Sequence, residues 1–231
     1  MMWFIIFFIM TEKKGKALSV LSGGLDSAVC LGIAAQQFEE VSAMFFSYGQ
    51  KTHDKEKECA EALVKHYDVK DYINIDLSWL KLFGVSALFD NMVALDEGNQ
   101  NAEYVPFRNS IFLSIATAYA ESKKLDAVII GSTGGDHICP DNSPNFIESF
   151  QRVMAEGTLI KKDIKLLTPL LRGDKEMAIK IAKELDIPLE LTWSCHNNTG
   201  LACGKCSNCR ARLEAFEALG LVDPIPYEGN L

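Results

Sequence analysis

The sequence predicts an α/β fold, a parallel sheet flanked by helices, with a small C-terminal subdomain built around cysteines. Three observations carry that expectation. From Lys16 onward, strand-like apolar runs alternate with helical patterns, the signature of a parallel sheet covered by helices. The segment Ser22-Gly23-Gly24-Leu25-Asp26-Ser27 falls where the first strand gives way to the first helix. Four of the seven cysteines crowd between positions 195 and 209. With 231 residues, 48% of them apolar, the chain is long enough for one α/β domain with an appendage and has the side chains to bury a core. A disordered chain is excluded.

Taken in order, residues 17–21 (ALSVL) read as a buried strand followed by a helix over 26–37. A second strand, 41–48 (VSAMFFSY), leads to a helix over 55–67, and a third strand occupies 71–78. Residues 80–104 show two glycines, a polar Asn/Gln cluster and no clean period, so they read as a long insertion and a candidate lid. A helix over 109–124, a strand over 126–132 (DAVIIGS), a helix over 146–156, a strand over 164–170 and a helix over 175–185 complete the alternation. The cysteine-rich tail closes with a helix over 211–219 and is too small for a core of its own. The expected divisions are an extension at 1–15, a nucleotide-binding domain at 16–190 and a metal-binding subdomain at 191–231.

The opening MMWFIIFFIM is ten apolar residues long. As a helix it would span roughly 15 Å against a hydrocarbon core of roughly 30 Å, and it lacks a basic flank or cleavage site. It reads as translation from an upstream start, with Met10 opening the natural protein, or as a short surface-adhering extension. Lys and Arg total 23 against 31 Asp and Glu, a formal charge of −8, which advertises no broad phosphate-backbone surface. No nucleic-acid partner and no membrane partner are expected. An odd cysteine count with four close together is unlike a secreted disulfide framework and suits a metal site in a reducing, cytoplasmic setting.

At the start of a helix the backbone N–H groups are unpaired and the dipole favours an anion. The tandem Gly23-Gly24 lets the backbone approach phosphate oxygens, and Ser22 and Ser27 add hydroxyl donors. A Walker A loop would need a lysine after its second glycine, and a Rossmann fingerprint would need three spaced glycines. Neither is present in this hexapeptide. Asp26 either orients a magnesium ion on the phosphates or serves as a helix-start carboxylate. Cys195, Cys203, Cys206 and Cys209, spaced C-x7-C-x2-C-x2-C, supply four thiolates for a closed tetrahedral zinc site, structural because no position is left for water. An iron–sulfur cluster or a redox pair is the competing reading.

SGGLDS after an N-terminal strand resembles the PP-loop of the ATP-pyrophosphatases, and implies an adenine nucleotide alpha hydrolase-like fold with cleavage of ATP between its α- and β-phosphates. The implied nucleotide-binding segment is Leu21, Ser22, Gly23, Gly24, Leu25, Asp26, Ser27, Ala28, Val29, Cys30 and Leu31. Joined to the cysteine cluster, and to Tyr48-Gly49-Gln50, Val105-Pro106-Phe107-Arg108-Asn109 and Thr192-Trp193-Ser194-Cys195, the loop makes the chain from Ala17 to Tyr227 resemble the 7-cyano-7-deazaguanine synthases, the QueC family. That resemblance implies conversion of 7-carboxy-7-deazaguanine and ammonium to the nitrile, with ATP, Mg2+ and one structural Zn2+ per chain, in a homodimer.

Such a substrate has a guanine-like edge of N–H donors and a carboxylate, which call for a carboxylate acceptor and an arginine clamp. Asp136 and Asp141, in the loop after strand 126–132, are the candidates for the first role, and Arg108 for the second. A structural arginine at a helix start is the alternative for Arg108. His137 is either a proton shuttle between ammonium and the adenylate or a surface loop histidine. The family pattern Tyr-Pro-Asp-Cys-Arg-Pro-Glu-Phe is replaced by Cys139-Pro140-Asp141-Asn142-Ser143-Pro144-Asn145-Phe146, and Ser47 stands where an Asp is common. Ser143 cannot replace an arginine as an anion clamp, so a paralogue acting on a related acid stays open. The rival functions are a PP-loop tRNA-thiolating enzyme and a non-catalytic zinc module with a degenerate nucleotide site.

Overall fold

The computed structural model describes residues 13–84, 86–89, 103–133, 139–159, 163–197 and 200–229. Five parallel strands, β1 (Lys16–Val20), β2 (Glu40–Ser47), β3 (Tyr72–Asp76), β4 (Ala127–Ile129) and β5 (Lys165–Leu167), form one sheet in the order β3-β2-β1-β4-β5. The helices are α1 (Leu25–Gln37), α2 (His53–His66), α3 (Arg108–Lys123), α4 (Pro144–Gly157), α5 (Lys175–Glu184) and α6 (Ser207–Ala218).

Alternation along the strands separates two cores. Ala17, Ala43, Phe45, Ala127 and Ile129 face one way and pack with Leu25, Val29 and Ile33 of α1, Leu63 of α2, Ile181 of α5 and Phe216 of α6. Leu18, Val20, Met44, Phe46 and Val128 face the other way and pack with Phe112, Leu113 and Ala116 of α3 and Ile147, Phe150 and Met154 of α4. Burying each of the larger side chains contributes about 1.5–3 kcal/mol. The expected parallel sheet flanked by helices is what the structure shows, as three layers.

The strand order reverses direction between β1 and β4, since β2 and β3 lie on one side of β1 and β4 and β5 on the other. In open parallel sheets the crevice beyond the C-terminal ends of the strands at such a reversal is where ligands bind. The turn after β1 contains Ser22–Ser27, so the candidate phosphate loop lies at that point.

Several boundaries differ from expectation. β4 covers three residues rather than the run 126–132, although Ile130 N still donates to Leu167 O of β5 at 3.1 Å. The last helix begins at Ser207, not at 211, with Cys206 as its N-cap; its first turn is Ser-Asn-Cys-Arg, a polar run that hides helical periodicity in the sequence. The insertion expected at 80–104 begins inside a 3-10 turn, Ser78–Phe83, while 85 and 90–102 lie outside the described residues, as do 1–12. Among the described residues no helix is long and apolar enough to cross a membrane.

Candidate active site and metal centre

The phosphate loop is shaped by its own side chains. Ser27 Oγ donates to the Gly24 carbonyl (2.9 Å) and accepts from Ser22 N (3.2 Å) and Ser22 Oγ (3.1 Å), while Gly24 N donates to Ser22 Oγ (3.3 Å). Gly23 has φ +78°, and a Cβ there would lie 2.2 Å from the Glu56 carbonyl oxygen of α2. Only glycine combines that left-handed backbone with that approach. Below the loop, a Cβ on Gly131 after β4 would come within 2.9 Å of the backbone joining Asp26 to Ser27, so the end of β4 seats the start of α1. Within the implied nucleotide segment, Leu21, Leu25, Ala28, Val29, Cys30 and Leu31 turn into the core. Ser22, Gly24 and Asp26 remain accessible. Burial, and next Asp26, push the Cys30 thiol far above its usual range, leaving it an inert core group.

Asp26 is the second residue of α1, and its Oδ2 lies 2.7 Å from Nζ of Lys175, the first residue of α5. Its Oδ1 is buried without a hydrogen-bond partner among the described residues. An orphaned carboxylate oxygen beside a phosphate loop fits the hard oxygen coordination of magnesium. Lys175 is not among the residues that the sequence motifs single out; its signal is a lysine in a first helical turn, the wrong sign for the helix dipole.

Beyond β2 the chain enters Tyr48-Gly49-Gln50. Gln50 is buried and closes the turn, its Oε1 accepting from Tyr48 N (2.9 Å) and its Nε2 donating to the Phe46 carbonyl (3.1 Å) and to Glu56 Oε2 (3.1 Å). The turn presents Tyr48 to Arg108, whose guanidinium carbon lies 5.3 Å from the Tyr48 ring centre and 5.8 Å from that of Phe112. Arg108 Nη1 donates to Tyr48 Oη (3.3 Å), and Nε reaches Asn109 Oδ1 at 3.5 Å. Burial, with smaller contributions from Glu56 and Glu103, pushes the Tyr48 hydroxyl up to about 12, and the cation of Arg108 acts against the rise. No carboxylate pairs with Arg108 among the described residues. It is a half-buried cation on an aromatic floor, at the C-terminal edge of the sheet. Phe107, which precedes it, holds a left-handed φ of +57°, strain of the kind that gathers at ligand-handling loops.

Asp141 is buried and points into the start of α3: Oδ2 accepts from Asn109 N (2.9 Å) and Ser110 N (3.2 Å), and Oδ1 from Asn109 Nδ2 (3.3 Å). Its carboxylate thus caps α3 from outside and fixes the helix that begins with Arg108. Asn142 Oδ1 accepts from Asn109 Nδ2 (2.8 Å) and from Ser132 Oγ (2.9 Å). Ser143 caps α4, accepting from Phe146 N (3.2 Å). The divergent stretch 139–146 is therefore tied into the scaffold by hydrogen bonds of its own. Asp136 and His137 lie outside the described residues.

The sulfurs of Cys195, Cys203, Cys206 and Cys209 lie within 4.8 Å of one another. Backbone donors face them: Asn197 N and Cys203 N point at Cys195 Sγ (both 3.3 Å), and Lys205 N and Cys206 N at Cys203 Sγ (both 3.4 Å). N–H groups aimed at sulfur stabilise thiolate, and four convergent thiolates fit a tetrahedral metal ion. The cluster packs with Trp193, Ala202, Ile225 and Cys59 of α2.

One hydrogen bond ties this centre to the loop after β1, and one buried arginine holds the segment that makes it. Trp193 N donates to the Gly23 carbonyl at 2.9 Å. Arg212, fully buried in α6, places all five of its donors: on Asp223 Oδ2 (2.7 Å) and Oδ1 (2.9 Å), Thr192 Oγ1 (2.7 Å), Ser194 Oγ (3.2 Å) and the Leu189 carbonyl (3.1 Å). It clamps the segment that runs from Leu189 into the cysteines. Arginine at a buried position signals such a role, but position 212 reads as one more charged residue in a polar helix until the fold is known. At the cluster's rim, His196 Nε2 lies 3.2 Å from Glu103 Oε1, bringing the end of the 80–104 segment to the metal centre.

The model of a family described as "Queuosine biosynthesis protein QueC" matches residues 16–220. Among curated proteins, a 7-cyano-7-deazaguanine synthase from Methanoculleus marisnigri is 43% identical, with 92% of this chain and 99% of the relative aligned. One from Methanospirillum hungatei is 41% identical over the same shares. Among solved structures, an NMN synthetase from Francisella tularensis superposes with TM-score 0.50 at 15% identity, covering 95% of this chain and 83% of that one, a likeness of fold.

Proposed function

The chain belongs to the QueC family of queuosine biosynthesis proteins, and from that membership we propose that it is a ligase converting 7-carboxy-7-deazaguanine and ammonium to 7-cyano-7-deazaguanine at the expense of ATP. The observation that carries the reading is the Ser22–Ser27 loop at the strand-order reversal, where Asp26 holds a buried oxygen without a partner among the described residues. A carboxylate oxygen is a poor leaving group. Attack of the acid on the α-phosphorus of ATP forms an acyl-adenylate and breaks the bond to the β-phosphate, whose oxygen leaves with the electron pair as pyrophosphate. The lone pair of ammonia then displaces AMP to give the amide. A second round of activation on the amide oxygen, followed by loss of AMP and protons, leaves the nitrile.

In this reading the backbone N–H groups of Ser22–Ser27 cradle the phosphates and stabilise the charge that develops on them. Asp26 Oδ1 would hold magnesium, which neutralises phosphate charge when bound. Arg108 clamps the substrate carboxylate, Asp141 positions Arg108 through α3, and Asp136 and His137 are assigned the edge-binding and proton-transfer roles. The four cysteines would hold zinc as a structural ion. The division into a nucleotide-binding domain at 16–190 and a metal-binding subdomain at 191–231, a homodimer, and a reducing cytoplasm that keeps the thiols free belong to the same reading.

The test is a mass-spectrometric assay of the purified protein with ATP, magnesium, ammonium and 7-carboxy-7-deazaguanine, following AMP and the 7-substituted product. Nitrile formed together with AMP supports the assignment. Metal-loaded protein that forms neither product overturns it.

A further inference from the structure

We propose that Lys175 is a catalytic residue for adenylation, a cation parked on Asp26 in the nucleotide-free loop that transfers to the departing pyrophosphate when ATP binds. The inference rests on the adenylating function argued above and adds a residue to it.

Four observations converge. First, α1 and α5 begin at the same place, because each follows a strand of one parallel sheet and lies on the same face. Their first turns meet, as the 2.7 Å contact between Asp26 Oδ2 and Lys175 Nζ shows. Second, lysine is the wrong residue for the first turn of a helix on local grounds, since the dipole repels a cation there. The N-terminal needs of α5 are already met by Asp174, whose Oδ1 accepts from Met177 N at 2.8 Å, and by Glu176. Third, the pair is not sealed in the core: the side chains of Lys175 and Asp26 are 27% and 21% exposed, and Ser22 and Gly24 of the same loop are accessible too. Fourth, Asp26 spends one oxygen on Lys175 and leaves the other buried without a partner among the described residues. A static bridge built to join two helices has no use for an orphaned oxygen, whereas a carboxylate that must pass from an ammonium to a metal ion does.

The exchange conserves charge. In the empty loop, Lys175 neutralises Asp26. With magnesium ATP bound, Asp26 would hold the metal, and Lys175, no longer paired with it, would be free to place its ε-ammonium on the phosphates. Formation of the acyl-adenylate breaks the α–β phosphate linkage, and the electron pair stays on the pyrophosphate oxygen. An ammonium at that oxygen is stabilised more in the transition state than in the bound nucleotide, so it acts on the rate.

The experiment compares Lys175→Met, Lys175→Arg, Asp26→Asn and the double variant Asp26→Asn/Lys175→Met in the full chain. Equilibrium binding of ATP without the acid and single-turnover release of pyrophosphate with it are the readouts. The expected results are a fall of about a hundredfold in the Lys175→Met rate at saturating ATP, with at least tenfold recovered in Lys175→Arg. Without magnesium, Asp26→Asn binds ATP more tightly than the parent because its lysine is free, and the double variant loses that gain. Rates and affinities of Lys175→Met within threefold of the parent overturn the proposal. So does magnesium-free binding that weakens in Asp26→Asn, the outcome for a purely structural bridge. The binding arm contains no acid. A parent that releases no pyrophosphate with 7-carboxy-7-deazaguanine while the binding pattern holds therefore removes the substrate assignment and leaves Lys175 as the phosphate cation.

Discussion

The backbone N–H of Trp193 donates to the carbonyl of Gly23 at 2.9 Å, so the phosphate loop is braced by a residue two positions before the first cysteine of the metal centre. Stripping the metal should therefore weaken nucleotide binding as well as the fold. Cys206→Ser is expected to lower bound metal, to cost about 3 kcal/mol or more, and so to lower Tm by roughly 6–12 °C. ATP affinity should fall at temperatures where the sheet is still folded. Calorimetry with metal analysis and an ATP titration tests it; unchanged ATP affinity in metal-free, folded protein would show that the two sites are independent.

Gly23 and Gly24 should respond differently to alanine. At Gly23 the left-handed φ costs about 1–2 kcal/mol for a residue with a Cβ, and the new methyl would stand 2.2 Å from the Glu56 carbonyl, so the loop must shift. Gly24 has φ −81° and its Cβ would meet no atom closer than 3.3 Å. Gly23→Ala is expected to abolish measurable ATP binding and Gly24→Ala to keep the fold with a smaller loss. Equal binding by the two variants would contradict the geometry.

Arg108→Lys keeps the charge on the aromatic floor but loses the planar fork. With a hydrogen bond to a charged group contributing about 1.5–3 kcal/mol, kcat/KM for the acid should drop roughly ten- to a hundredfold, mostly in KM. ATP binding measured without the acid should not change. A loss confined to ATP binding would place Arg108 at the nucleotide instead.

Removing the Arg212 guanidinium strands a buried carboxylate, Asp223, whose remaining side-chain donor is Tyr227 Oη at 2.7 Å. Arg212→Met should cost about 3–5 kcal/mol and lower Tm by roughly 6–20 °C. Adding Asp223→Leu should recover part of that loss, since the unpaired charge goes with it. Two strictly additive losses in denaturant titrations would argue against a coupled pair.

What the sequence made legible was local. The strand, glycine turn and helix start lie within a dozen residues, so their chemistry reads directly, and four cysteines inside fifteen positions declare a metal centre without a fold. The roles of Lys175 and Arg212 depend on partners brought from elsewhere in the chain: Asp26 across two helix starts, Asp223 and Thr192 around a tail. Asp141 was found by its position after β4, but whether it faces substrate or caps α3 is decided by backbone N–H groups that no side-chain pattern reports. Helix α6 was started late because its first turn serves the metal centre and carries no apolar stripe.

The brace between Gly23 and Trp193 also sets an order of events in time. The strand and helix that frame the phosphate loop leave the ribosome early, and the residue that holds the loop's carbonyl arrives much later. At roughly 5–20 residues per second, the gap is on the order of ten to thirty seconds. During it, a nascent chain carries the glycine turn without its brace. The loop's final shape is thereby a property of the long chain, reached only once the segment at Trp193 has been made and has folded back on the first strand and helix.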